Sequence, residues 1–161
     1  MSGACRLLAR LKLGGLLAVW LVLVPGCATR VELPRVDLSR PGWTVWTGQA
    51  VWERAGGASA LAGELLAARH DSGDVFVTFS KPPISIFTAH SAAGGWRLEF
   101  VERGRTRAGR GRPPDRFIGF VIPEVLAGNR PPPEWRAEWT DENELDLVHR
   151  DGEALHLVLD R

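Results

Sequence analysis

Imidazole, hydroxyl and carboxylate groups could carry acid–base or nucleophilic chemistry in this chain, and they are scattered through it. His70, His90, His149 and His156 form no His-x-x-x-His or Cys/His pattern with metal-ligand spacing, and they read as polar residues at strand ends. Ser80, His90 and Asp74 are the ingredients of a triad. Yet Ser80 lies in no Gly-x-Ser-x-Gly elbow, and no helix follows it. Carboxylates bunch at Asp141-Glu142-Asn143-Glu144, which reads as a solvated turn rather than a poised pair. Gly109-Arg110-Gly111 lacks the flanking strand and helix of a phosphate loop. The residues therefore predict a protein that is not an enzyme and holds no cofactor or metal.

Two other features point to binding. Arg103, Arg105, Arg107, Arg110 and Arg112 concentrate positive charge in a Gly/Arg stretch running from Arg103 to Arg116. Such a stretch reads as a loop. It could meet RNA, lie on anionic headgroups at about 1 kcal/mol per Arg, or simply be solvated. The overall balance argues against nucleic acid. The net charge is +1, and without Arg6, Arg10 and Lys12 the remaining 17 basic residues face 19 acidic ones.

The second feature is Cys27. Arg6, Arg10 and Lys12 precede an apolar run, Leu13 to Val24, that is too short to span a bilayer core of about 30 Å. The run ends in Val24-Pro25-Gly26-Cys27. This start resembles that of bacterial lipoproteins, although Pro25 stands where Ala, Ser or Thr is usual. The alternative is an ordinary secretory signal with an incidental Cys. The resemblance implies cleavage after residue 26, a diacylglyceryl group on Cys27 and a stable membrane anchor. Ala28 in place of Asp implies the outer membrane, most simply its periplasmic face. Nucleic acid is then not a partner, and a monomer is expected. One thiol in the mature chain leaves no intramolecular disulfide. Residues 27–42, polar and cut by Pro34 and Pro41, read as a tether reaching about 20 Å.

The domain, residues 43–161, reads as mainly β. The 11 Pro and 18 Gly of the whole chain suit many short strands joined by turns. Val75–Phe79, Ile84–Ala89 and Trp96–Val101 are apolar runs cut by Lys81-Pro82-Pro83 and Ala92-Ala93-Gly94-Gly95. Trp96, Leu98 and Phe100 share a face, as do Val75, Val77 and Phe79. Phe76 on the opposite face makes the first strand two-sided: it is covered on both sides or open to an apolar ligand on one. Trp43–Arg54 predicts a first strand bulged at Gly48, and Leu61 or Gly63 to Arg69 a second. Phe117–Leu126 predicts an extended piece and then a helical turn or two, with Pro123 near the helix start and Gly128-Asn129 as its stop. In Glu144–Arg161, a bulged loop at Asp151-Gly152 would pair Leu147 with Leu155 and Leu145 with Leu157, gathering the leucines on one face.

With the strands placed, the order of short segments resembles the LolA/LolB lipoprotein-carrier superfamily, nearest its short LolB-like members. These segments are Trp46-Thr47-Gly48-Gln49, Gly63-Glu64-Leu65, Val77 to Pro82 leading to Ile84 and Ala89, Trp96 to Phe100, and Gly109 to Pro114. The resemblance implies a half-open antiparallel barrel with one or two short helices as its lid. It also implies an apolar interior that accommodates an acyl chain or lipoprotein lipid, and a possible part in lipoprotein localisation. Carried onto this chain, the lining would be Val75, Val77, Phe79, Trp96, Leu98, Phe100, Phe117 and Phe120, with Phe117–Leu126 as lid. A partition with Phe76 and Phe87 inward is the alternative. The acceptor's protruding loop with its exposed apolar residue has no counterpart, because the turns His70–Asp74 and Ala55–Gly57 are polar or small. A structural or protein-interaction lipoprotein with a filled core is the other functional reading.

Overall fold

A computed structural model of the chain describes residues 31–57, 59–101 and 104–160. The leader, Cys27 and Arg103 lie outside the described residues. Among the described residues nine strands form one antiparallel sheet: β1 (Trp43–Glu53), β2 (Leu61–His70), β3 (Val75–Lys81), β4 (Ile84–Ala92), β5 (Gly95–Phe100), β6 (Arg105–Gly109), β7 (Trp135–Asp141), β8 (Glu144–His149) and β9 (Ala154–Leu159). Their order is β6-β5-β4-β3-β2-β1-β9-β8-β7, so β1 is flanked by its neighbour in sequence and by the last strand, and the sheet does not close. Among the described residues one helix, α1 (Ile118–Leu126), packs against β2, β3 and β4. The fold is a mainly-β half-barrel with a short helix as its lid.

Period-2 alternation decides which side chains turn inward. Register aligns Leu65 with Phe79, Ala67 with Val77, Phe79 with Phe87, Ala89 with Leu98 and Phe87 with Phe100. Val75, Val77, Phe79, Phe87, Trp96, Leu98 and Phe100 thus share one face, while Phe76 points to the other. The inward set is neither of the two partitions expected but the first of them with Phe87 added. At the far end Leu145 pairs with Leu157 and Leu147 with Leu155. Gly152 has φ +90°, and the His149 N–H donates to the Glu153 carbonyl over 2.7 Å, as the bulged hairpin requires. The β2–β3 turn repeats this plan, with Gly73 at φ +91° and the His70 N–H donating to the Asp74 carbonyl over 2.8 Å.

The hollow of the half-barrel is filled by α1. Ile122 is fully buried, and Ile118, Phe120, Val121 and Val125 are nearly so. At about 1.5–3 kcal/mol per fully buried large apolar side chain, this seat contributes several kcal/mol. Gly119 makes the close approach possible: a Cβ there would lie 2.8 Å from that of Ala89 and 3.1 Å from the Phe87 ring. The helix stops as its sequence requires. The Gly128 and Asn129 N–H groups donate to the carbonyls of Val125 and Glu124 over 2.9 Å each, with Gly128 at φ +83°.

Four sequence expectations are corrected. The β1 ladder runs unbroken through Gly48 on the β2 side and starts in register at Gly48 on the β9 side, so no bulge is present; a Cβ there would collide with the Val158 carbonyl oxygen. The register shift falls instead between Phe79 and Ser80, where Ile86 is the extra residue on β4. The Arg103–Arg116 stretch is not all loop, because Arg105–Gly109 pairs with β5. The helix begins at Ile118 rather than at Pro123, which lies inside it. Nor do residues 31–36 stand off as a spacer. A Cβ added at Gly95 would lie 3.1 Å from Val31 Cγ1, and Leu33–Val36 face Phe76 and His90 across a groove of about 450 Å³ on the outer face. The two-sided strand β3 therefore has α1 on one side and this N-terminal strap beside the other.

Candidate functional site

At the N-terminal end of α1 the half-barrel opens into a cleft of about 520 Å³. Its floor is aromatic. Trp52 of β1 meets Phe87 edge-on at 5.4 Å, and Phe87 meets Phe100 at 6.3 Å. Phe117, the residue before α1, borders the same space. Beneath lies a gap of about 30 Å³ among Trp52, Phe87, Leu98, Phe100, Phe117, Ile118 and Gly119. The packing between sheet and helix is therefore incomplete at this mouth.

Charge is divided between the two walls. On one side, Arg105 and Arg107 face Phe100 and Leu98 in register, which places them on the concave face of the edge strand. Arg107 and Arg116 lie over the Phe117 ring at 5.5 and 4.8 Å, and Arg54 lies over Trp52 at 5.8 Å. On the other side the β8–β9 turn carries His149, Asp151 and Glu153. His149 is 7% exposed and stacks on Trp135 at 4.7 Å. Its Nδ1 is 2.7 Å from Asp151 Oδ1, and its Nε2 is 3.5 Å from Glu134 Oε2. Burial pushes His149 down, but hydrogen bonds and charge from Asp151 and Glu134 outweigh it and hold the imidazole above its ordinary 6.5. Burial pushes the Glu153 carboxyl above its ordinary 4.5, against the pull of a hydrogen bond donated by Trp52.

A second cleft of about 600 Å³ lies at the other end of α1, bounded by Val75, Ser91, Phe120 and the Pro132-Pro133 connector. Its polar groups are largely satisfied. Glu124 accepts from Arg69 over 3.2 Å and from Asn129 over 2.7 Å, and Asp115 pairs with Arg112 at 3.4 Å.

No family model and no curated protein matches this chain.

The expected lining residues share the concave side but not one cavity. Phe100 and Phe117 border the main cleft, and Leu98 only the gap beneath it. Val75 and Phe120 reach the second cleft. Val77 and Phe79 are fully buried, and Trp96 packs on Phe117 and Phe120 at 5.8 and 6.0 Å. The arginine group divides too: Arg105 and Arg107 border the main cleft, Arg112 the second, and Arg110 is exposed. Ser80 and His90 are not brought together. His90 faces Phe76 in register, four residues or about 13 Å along β3 from Ser80. Among the described residues, no group of three or more His, Cys, Asp or Glu is placed to hold a metal ion, and no helix is long and apolar enough to cross a membrane.

Trp52, Ile86, Arg54, His149 and Glu153 are cleft residues that sequence reasoning did not single out. For Trp52 the signal was available: Trp46, Gly48, Ala50 and Trp52 alternate along β1 and share its buried face.

Proposed function

We propose that this is a lipid-anchored protein of the cell envelope, held at the outer membrane through Cys27, whose half-barrel binds an acyl chain at its mouth. The reading rests on the lipobox and on the resemblance to lipoprotein carriers. The observation that carries it is the aromatic-floored cleft of about 520 Å³ at the sheet–helix seam, within the roughly 300–1,000 Å³ range of small-molecule sites. Burial of methylenes on Trp52, Phe100 and Phe117, at about 25 cal/mol per Å², would drive binding. Because α1 fills the deeper hollow, the chain would lie along the mouth or part the helix from the sheet at Phe117. A part in lipoprotein localisation follows only if the bound chain belongs to another lipoprotein.

A second reading, an anchored structural or protein-interaction domain, is favoured by the same filling of the concave face by Ile118, Phe120, Val121, Ile122 and Val125. The Cys27→Ala variant of the full chain separates the two, since it keeps the anchor's own acyl groups out of a titration. Saturable quenching of Trp fluorescence by a fluorescent fatty acid or a lipopeptide supports the carrier; no saturation leaves the second reading. The same variant tests the anchor. It should lose labelled palmitate incorporation and leave the membrane fraction, and retention of both would sink the lipidation of Cys27.

A further inference from the structure

Among the described residues, four of the five arginines bordering the main cleft are unpaired, whereas its carboxylates are held. Glu134 is held by Arg150 at 3.0 Å and by His149, and Asp151 is held by His149. Glu153 accepts from Trp52 over 2.8 Å. Asp115, next to Arg116 in sequence, pairs with Arg112 instead. Among the described residues, Arg54, Arg105, Arg107 and Arg116 have no carboxylate within ion-pairing distance, yet all four border one cleft. Charged side chains turned inward on an edge strand also discourage edge-to-edge pairing, which would account for Arg105 and Arg107. It does not account for Arg54 beyond β1 or for Arg116 at the entry to α1.

Two further observations have the same sign. The N-terminus of α1 has no side-chain cap and no acidic residue in its first turn, so its positive end adds to the field near Phe117 and Ile118. Three of the four guanidinium groups rest on aromatic rings of the floor. A stacked guanidinium retains its planar fork of donors, which suits the oxygens of a phosphate or carboxylate. Four such forks around an apolar floor match a molecule that is greasy at one end and anionic at the other.

We propose that this cleft takes a single anionic amphiphile, its alkyl end on Trp52, Phe100 and Phe117 and its phosphate or carboxylate head among Arg54, Arg105, Arg107 and Arg116. This inference rests on the acyl-binding reading and adds to it a selection by head-group charge. The test is calorimetric titration of the Cys27→Ala full chain at roughly physiological salt. The probes are dodecyl phosphate, dodecyl maltoside and dodecyltrimethylammonium, each below its micelle concentration. Dodecyl phosphate should bind about tenfold or more tightly than the neutral probe, since charge-assisted hydrogen bonds are the stronger class. The Arg107→Gln/Arg116→Gln variant should bring the ratio of dodecyl phosphate to dodecyl maltoside affinity down toward one, and the fold should stand because both residues are exposed.

Equal binding of all three probes overturns the charge selection and leaves acyl binding standing. Saturable binding of none overturns both. Inorganic phosphate binding as tightly as dodecyl phosphate overturns the amphiphile in favour of a simple anion site. Binding to vesicles containing anionic phospholipid, without binding of monomeric dodecyl phosphate, overturns it in favour of a membrane-facing surface.

Discussion

Trp52 on β1 donates its indole N–H to Glu153 Oε1 over 2.8 Å, joining the central strand to the turn that launches β9. The bond satisfies two polar groups beside the aromatic floor, where water reaches neither freely. It also sets how much Glu153 resists ionising, because it opposes the upward push of burial.

Trp52→Phe should therefore destabilise the domain by about 1–3 kcal/mol at neutral pH through the stranded carboxylate, with lost packing added. Denaturant unfolding at neutral pH and again below 4.5 separates the two contributions. The part due to the carboxylate should vanish once Glu153 is protonated, and the packing part should not. A deficit independent of pH would mean that the hydrogen bond contributes nothing.

His149 is held above 6.5 by Asp151 and Glu134 despite its burial. The folded state thus binds that proton more tightly than the unfolded state does. The stability this adds is fully present below 6.5 and is lost as pH rises through the folded value. Glu153 has the same sign lower down, its contribution fading from 4.5 up to its raised value. His90, pushed below 6.5 by burial against the opposing charge of Asp74, has the opposite sign. His149→Gln should therefore cost most below 6.5 and progressively less as pH rises from there through the imidazole's own midpoint. Unfolding measured across pH, with the His149 ring titrated by NMR, checks this; a ring midpoint at or below 6.5 would contradict it.

Gly119→Ala pushes a methyl against Ala89 and Phe87 at 2.8 and 3.1 Å. Overpacking of this kind costs about 1–3 kcal/mol. Ala89→Gly alone should also destabilise, but the double variant should recover part of the Gly119→Ala loss, since the two sites share one contact. Strict additivity in thermal or denaturant unfolding would show that α1 seats elsewhere.

The parts of the fold legible in the sequence are those whose cause is local. Leu145, Leu147, Leu155 and Leu157 alternate on either side of Asp151-Gly152, so turn chemistry and burial agree on one register. Strand β6 was not legible, because Arg105, Arg107 and the exposed Thr106 carry no apolar alternation; only pairing with β5 makes that segment a strand. The helix start was hidden for a related reason. Phe117 caps nothing with its side chain, and Ile118 to Ile122 is apolar all round because the concave sheet surrounds it. Pro123 then misled, since it lies in the interior of the helix rather than opening it. Of the cleft, Phe100 and Phe117 could be read from their own strings. Trp52, His149 and Glu153 could not be grouped with them, because β1, the β8–β9 turn and the entry to α1 meet only in three dimensions.

Strand β1 waits for β9. One ladder of β1 is completed by β2, the next segment made, but the other needs β9, with Gly48 opposite Leu159 and Trp52 opposite Leu155. Contacts so distant in sequence slow folding, because a long loop must close before any of them form. A molecule threaded out N-terminus first therefore keeps one flank of this ribbon bare until β9 has emerged. Trimming Leu155–Leu159 would undo the heart of the sheet rather than its hem.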